Sequence, residues 1–393
     1  MNIKRLFATT YGHFSIDIIN SSTAMVLTAM AAPERFNLSV GDIAFGALLY
    51  QICASMSQPI FGSLTDRLRG RWVGGLGLLW TIIFYSLAMF MPSYPTFLGC
   101  LMIGGLGSGA FHAAGVYNAP ASGGKRSTLA TSIFFLGGQS GLAIGPIIAG
   151  FLLTRGGIQR LPITALAMLP AVVVMLLFMN SPITDLPNAK SAGKVNGRKG
   201  AVTLVVIFML LITMRSGTAQ AFSTLLPKFF DLQGLQPSEY GLLIGWFTFL
   251  GALGTFSSGF LGDRFDRRWL MIISLLISTP FYLWMLNSDG ISYYMAAAIA
   301  SFSVSISHTI LIVMAQELAP KSRGLVGGLV LGFIFASGST VAWLAGEVAD
   351  VTGLPIVLNA LSFLPIGAAL CALLLPGATR PEPIVAPAPA AAD

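Results

Sequence analysis

The chain has 393 residues, of which 55% are hydrophobic and only 9% charged, and its formal net charge is +7. Soluble domains carry roughly 25% charged residues, so this composition excludes an ordinary soluble globule. It also excludes a nucleic-acid footprint, because no soluble basic face exists to carry one.

Apolar runs recur along the chain near 7–31, 42–64, 72–91, 96–118, 127–153, 161–180, 201–227, 239–261, 269–287, 291–315, 325–348 and 355–375. About 20 apolar residues suffice to cross a hydrocarbon core ~30 Å thick. The 44 Gly and 21 Pro would weaken soluble helices but are tolerated in bilayer helices, whose neighbours re-satisfy freed backbone groups. No ten-residue alternation of a transmembrane β-barrel is present. The expected fold is an all-α polytopic membrane protein with 12 transmembrane helices. The first run starts too near the terminus and runs too long for a cleaved signal peptide.

The first run contains GHFSIDII at 12–19. The four-residue spacing puts His13 and Asp17 on one helix face, with Asn20 continuing the stripe. Asp17 lies 12 residues past Arg5, about 18 Å along a helix and so near mid-bilayer. After the second run comes GSLTDRLRGR at 62–71, the fourth contains GGLGSGAFH with His112, and the fifth reads SIFFLGGQSGLAIGPIIAG at 132–150. The polar stretch NAKSAGKVNGRKG at 188–200 reads as a linker. Arg215 follows, mid-span in the seventh run, then GFLGDRFDRR at 259–268 and His308 in the tenth run. The tail RPEPIVAPAPAAAD is Pro/Ala-rich and expected to be disordered.

These segments repeat. The two loop motifs start 197 residues apart, and His112 and His308 are 196 apart. The simplest reading is two pseudo-symmetric six-helix halves, 1–180 and 201–376, joined by a cytoplasmic linker at 181–200 and followed by a tail at 377–393. Of the 22 Lys and Arg, 17 fall on the side of the N-terminus, Arg35, Arg155, Arg160 and Lys228 fall opposite, and Arg215 lies mid-span. The positive-inside rule then makes both termini cytoplasmic in a multi-pass protein of the inner membrane.

Two halves of six helices, each with G-x-x-x-D-R-x-x-(G)-R after its second helix, resemble the major facilitator superfamily over nearly the whole chain. The resemblance implies a cytoplasmic latch of Asp66, Arg67 and Arg71 with its repeat Asp263, Arg264 and Arg268, and a central cavity lined by helices one, four, seven and ten. Gly141, Gly145, Pro146 and Gly150 resemble the antiporter signature G-x-x-x-G-P-x-x-(A/G)-G. GHFSID, Gly107-x-Gly109-x-x-His112 and GGQSGLAIGP together resemble the fosmidomycin-resistance branch of drug exporters, with Ala113 where that branch would carry proline.

All four cavity helices carry a polar anchor: His13 and Asp17, His112, Arg215, and His308. Charges at that depth cost at least ~2.5–3.5 kcal/mol each on insertion scales, so they face the bundle interior. One reading is a structural ion pair between Asp17 and Arg215. The other is proton coupling through Asp17 and His13, with Arg215, His112, His308, Asn20 and Gln139 contacting substrate. An anion drawn to Arg215 would loosen its hold on Asp17 and so link proton and substrate binding. Glu347 and Asp350, near the outer end of the eleventh run, are expected to be solvated.

The expected function is a proton-coupled secondary transporter, an antiporter that exports a small organic compound or drug, anionic if Arg215 binds it, by alternating access. Its partners would be that substrate, protons and the lipid bilayer, with no nucleic acid, and it would act as a monomer. The alternatives are a proton-coupled importer of an organic acid or another metabolite, and a membrane sensor or scaffold that does not transport. An enzyme is excluded: no nucleophile–base spacing, metal set or G-x-x-x-x-G-K-[ST] loop occurs. The three histidines sit in separate runs without metal-ligand spacing, so no metal site and no cofactor are expected.

Overall fold

The computed structural model describes residues 1–68, 70–179, 201–318 and 323–375. The proposed linker and tail lie outside these residues, as do the side chains of Asp66 and Asp263.

Twelve helical spans are present among the described residues. In chain order they are span 1 (Ile3–Met30), span 2 (Val40–Met56 continued by Gln58–Arg67), span 3 (Gly70–Ala88), span 4 (Tyr94–Gly123), span 5 (Ser127–Gly156) and span 6 (Pro162–Leu166 then Leu169–Phe178). The second half repeats the series as span 7 (Ala201–Leu232), span 8 (Pro237–Arg264), span 9 (Arg267–Leu286), span 10 (Gly290–Leu318), span 11 (Arg323–Thr352) and span 12 (Leu354–Leu361 then Leu364–Leu373). Eleven are long and apolar enough to cross a bilayer. Span 1 is more polar than the rest, because it carries Thr9, Thr10, His13, Ser15, Asp17, Asn20, Ser21, Ser22 and Thr23. Spans 6 and 12 break at matching places, just before Leu169-Pro170 and Leu364-Pro365, where proline offers no N–H to the preceding turn.

The packing is duplicated as well. Span 1 packs on span 5, span 3 on span 4, span 2 on span 4 and span 3 on span 6. Their repeats are spans 7 and 11, 9 and 10, 8 and 10, and 9 and 12. Backbones approach closely where side chains vanish. A Cβ on Gly77 would lie 2.8 Å from the Gly107 carbonyl oxygen, and one on Gly107 would lie 2.6 Å from that of Gly77. Small residues allow such contact in a solvent that gives helix association no hydrophobic driving force.

The halves meet mainly along spans 2 and 11 and spans 5 and 8, and the close contacts cluster at the face remote from residue 1. There the Asp350 carboxylate accepts from Val40 N (2.7 Å) and Gly41 N (2.9 Å) at the start of span 2. In the repeat, the Thr154 hydroxyl accepts from Ser238 N (2.9 Å) at the start of span 8. Glu347 accepts from Trp343 Nε1 (2.9 Å) beside Phe45. Glu347 and Asp350 are exposed, as expected, and Asp350 in addition caps the orphan N–H groups of a helix in the other half. Toward the face that carries residue 1, Gly62 and Gly259 have nothing within 4 Å of a would-be Cβ, and Met56, Ile60, Phe256 and Phe260 are more than half exposed. The halves are closed at one face and splayed at the other.

Candidate functional site

Among the described residues, two polar centres lie at mid-span in the interior, one in each half. The first joins span 1 to spans 4 and 5. His13 Nε2 lies 3.2 Å from Asp17 Oδ2, and His112 Nε2 lies 3.5 Å from Asp17 Oδ1. His13 and Asp17 are each 5% exposed, while the His112 side chain keeps 22% exposure. Asn20 donates from Nδ2 to Asp17 Oδ1 (2.9 Å) and accepts from the Tyr50 hydroxyl of span 2.

The imidazole tautomers follow from the backbone. His13 Nδ1 lies 2.8 Å from the Phe134 carbonyl oxygen, and His112 Nδ1 lies 2.8 Å from that of Ser108. A carbonyl can only accept, so both Nδ1 atoms donate. Each Nε2 then faces a carboxylate oxygen. In a neutral ring that would set lone pair against lone pair, so each contact needs a proton, on the ring or on the carboxyl, or a cation between the two atoms. A second proton on the ring meets that need, and the contact becomes a charge-assisted hydrogen bond.

Span 5 makes room for this cluster. A Cβ on Gly138 would meet His13 Nε2 at 2.5 Å and Asp17 Oδ2 at 2.7 Å, and Gly137 packs on Thr10 and Gly141 on Phe14 of span 1. His13 is stacked on Phe134, with ring centroids 3.9 Å apart. The glycine seam divides in two. Gly141 and Gly145 face span 1, within one half, whereas Pro146 and Gly150 face Gly241 and Pro237 of span 8, across the halves.

The second centre is Arg215, 5% exposed on span 7. It donates from Nε to the Ser307 hydroxyl (3.0 Å), from Nη1 to His308 Nδ1 (3.2 Å) and from Nη2 to the Val304 carbonyl (3.3 Å), all on span 10. These acceptors are neutral. Among the described residues no carboxylate pairs with Arg215, so the Asp17–Arg215 ion pair, one of the two readings of the sequence, is absent. Asp17 spends its oxygens on two histidines of its own half, and Arg215 spends its donors within the other. Among the described residues the buried Tyr282 hydroxyl has no hydrogen-bond partner, and it stands within electrostatic reach of the guanidinium.

The remaining expected residues are dispersed. Gln139 is half-buried and has no hydrogen-bond partner among the described residues; the residue beside it, Gly138, faces the cluster instead. Arg67 is exposed, Arg71 lies over Trp72, and Arg264 lies over Phe260. Arg268 donates to the Ala372 and Leu373 carbonyls of span 12, in its own half. The aspartates expected to complete the latch, Asp66 and Asp263, have side chains outside the described residues. Linear spacing offered no metal-ligand set, yet the donor atoms of His13, Asp17 and His112 lie within 4.8 Å of one another. The spacing missed them because the ligands come from two helices.

Among the described residues, eleven helices long and apolar enough to cross a bilayer and a more polar twelfth, in two like halves that close at one face, define a secondary-transporter architecture. The sequence pattern of the Major Facilitator Superfamily matches residues 10–236 and, again, residues 207–392. The chain belongs to that superfamily; it is a multi-pass membrane transporter and not an enzyme. It is 29% identical over 375 residues to the uncharacterized MFS-type transporter YfnC of Bacillus subtilis (strain 168), covering 91% of this chain and 90% of the relative. It is 28% identical over 376 residues to the fosmidomycin resistance protein of Escherichia coli (strain K12), covering 92% and 90%. Among solved structures, the nucleoside transporter NupG superposes with a TM-score of 0.79 at 12% identity, covering 94% of this chain and 99% of that one. The inward-facing bacterial homolog of the human lysosomal transporter Spinster gives 0.76 at 16% identity, covering 94% and 95%. At such identity these structures share the fold.

Proposed function

We propose that the protein is a proton-coupled antiporter of the cytoplasmic membrane that exports a small organic compound bearing an anionic group. One observation carries the reading: the interior holds a carboxylate clasped by two histidines in one half and, in the other, a guanidinium whose partners among the described residues are all neutral. A buried cation without a counter-ion is costly, and a substrate anion supplies one. The planar fork of Arg215 suits carboxylate- or phosphonate-like groups.

Exchange requires that proton and substrate exclude each other. A substrate reaching from Arg215 and His308 toward His112 or Asn20 takes over partners that hold the proton at Asp17. His112, the most exposed member of the cluster, is the group it meets first. His13, stacked and tied to the Phe134 carbonyl, keeps the proton on the carboxylate's other side. Rocking the halves about these centres then alternates access. In this scheme the face carrying residue 1 is cytoplasmic, the Asp66 and Asp263 motifs latch that face when it closes, and the Pro146–Gly150 seam lets spans 5 and 8 slide. Gln139 is the first residue to meet a larger substrate.

The similarity to a fosmidomycin resistance protein makes fosmidomycin the first compound to test. Everted membrane vesicles with an acidic interior should accumulate it, together with proton loss from the lumen, only when the protein is present. Accumulation that ignores the pH gradient would overturn the coupling. If small anions and fosmidomycin all fail to compete for binding, the anionic-substrate reading falls.

A further inference from the structure

We propose that the His13–Asp17–His112 cluster is also a binding site for one divalent transition-metal ion of the Zn²⁺ type. The inference concerns residues that the transport reading uses, but it stands on their geometry and does not depend on direction or coupling.

Three observations converge. The first is the donor set: two imidazoles and one carboxylate, with their donor atoms within 4.8 Å of one another. Nitrogen and carboxylate oxygen suit Zn²⁺ and its neighbours, whereas an oxygen-only set would suit Mg²⁺ or Ca²⁺. The second is distance. Zn–N and Zn–O bonds of roughly 2.0–2.2 Å at the tetrahedral angle set neighbouring donor atoms about 3.3–3.5 Å apart. Here Nε2 of His13 stands 3.2 Å from Asp17 Oδ2 and Nε2 of His112 stands 3.5 Å from Asp17 Oδ1, the two oxygens of one carboxylate, so each His–Asp edge has the length of a ligand–ligand edge.

The third is the outer support. Metal-ligating histidines characteristically donate the other ring N–H to a carbonyl or carboxylate, which fixes the tautomer and aims the lone pair. Both histidines do so, onto Phe134 O and Ser108 O, at 2.8 Å each. Asn20 adds a hydrogen bond to Asp17 Oδ1 (2.9 Å), and Gly138 leaves the Nε2–Oδ2 edge of the cluster free of any side chain. Three protein ligands and an exposed edge at His112 leave a fourth position open to water or to a chelating group of a substrate. The cation that the two Nε2–carboxylate contacts demand can thus be a metal ion in place of a proton, and metal would displace protons on binding.

The test uses tag-free, detergent-purified full-length protein at fixed pH with no substrate and no gradient. Co²⁺ is the probe, because its visible absorption reports coordination number. The expected result is one Co²⁺ per chain with the intense bands of a four-coordinate site, discharged by equimolar Zn²⁺. His112→Ala and Asp17→Asn should each weaken binding at least tenfold while eluting as monodisperse protein, and His112→Gln serves if His112→Ala does not fold. Absence of these bands up to millimolar Co²⁺, or bands that survive both substitutions, would overturn the proposal. Failure here with pH-driven transport intact removes the metal site alone. Metal binding without pH-driven transport removes the antiport reading alone.

Discussion

Truncating Asp350 to Ala should open the face remote from residue 1. The carboxylate accepts from Val40 N and Gly41 N at 2.7 and 2.9 Å, across the two halves. A hydrogen bond to a charged group is worth about 1.5–3 kcal/mol when buried, but Asp350 is exposed, where a charge at a helix N-terminus contributes nearer 0.3–1 kcal/mol. Two such contacts are lost together, so a net loss of about 0.6–2 kcal/mol follows, a factor of roughly 3–30 in the closed-to-open ratio. Its repeat, Thr154 on Ser238 N, is a single neutral bond worth about 0.5–1.5 kcal/mol, so Thr154→Ala should shift the ratio less. Spin labels at Arg35→Cys and Val351→Cys, in a background lacking the three native cysteines, report the separation by double electron–electron resonance. Asp350→Ala should populate a longer distance that the parent shows only weakly. An unchanged distribution, or a larger shift from Thr154→Ala than from Asp350→Ala, would refute the cap as the stronger clasp.

The buried centres give further expectations. Because Asp17 and Arg215 have separate partners, Asp17→Asn should not restore the substrate affinity lost in Arg215→Gln; rescue in a double-mutant cycle would show that the two ions pair. Arg215→Lys should weaken substrate binding by tenfold or more, since an ammonium cannot reproduce the fork that reaches Ser307, Val304 and His308, and unchanged affinity by calorimetry would count against direct contact. Gly138→Ala should disturb the cluster without removing a ligand, because its Cβ would meet Asp17 Oδ2 at 2.7 Å; lost pH dependence of transport with retained folding is the expected signature, and an unaltered pH profile would contradict it. Asp66→Asn should raise cysteine labelling of cavity positions facing residue 1, and unaltered labelling would show that the loop motif only sets topology.

Helix number, the doubled order and the polar anchors in spans 1, 4, 7 and 10 were legible in the sequence, because bilayer length and charge depth act on single helices. What touches what was not. Asp17 meets His112, 95 residues away, and not Arg215, because pairing depends on the rotation of each helix about its axis. A single chain's composition does not encode that angle. Tyr50, which completes the Asn20 link, gave no signal at all, since a tyrosine in an apolar run reads as packing. Asp350 is exposed, as its place at a span end implied, but its capping of span 2 is invisible until the partner helix terminus is seen. The His13–Asp17–His112 cluster escaped for the same reason as the ion pairs. Its members come from spans 1 and 4, and the i,i+4 step that relates His13 to Asp17 is only part of it.

If Asp17 carries the coupling proton, its removal separates coupling from exchange. Proteoliposomes with reconstituted wild-type or Asp17→Asn protein are given an imposed pH gradient, with fosmidomycin or the first compound found to be transported. The wild type should accumulate it uphill, whereas Asp17→Asn should lose uphill accumulation and keep substrate–substrate counterflow. If Asp17→Asn still accumulates substrate against its gradient at the wild-type rate, Asp17 is a structural anchor and the proton travels elsewhere.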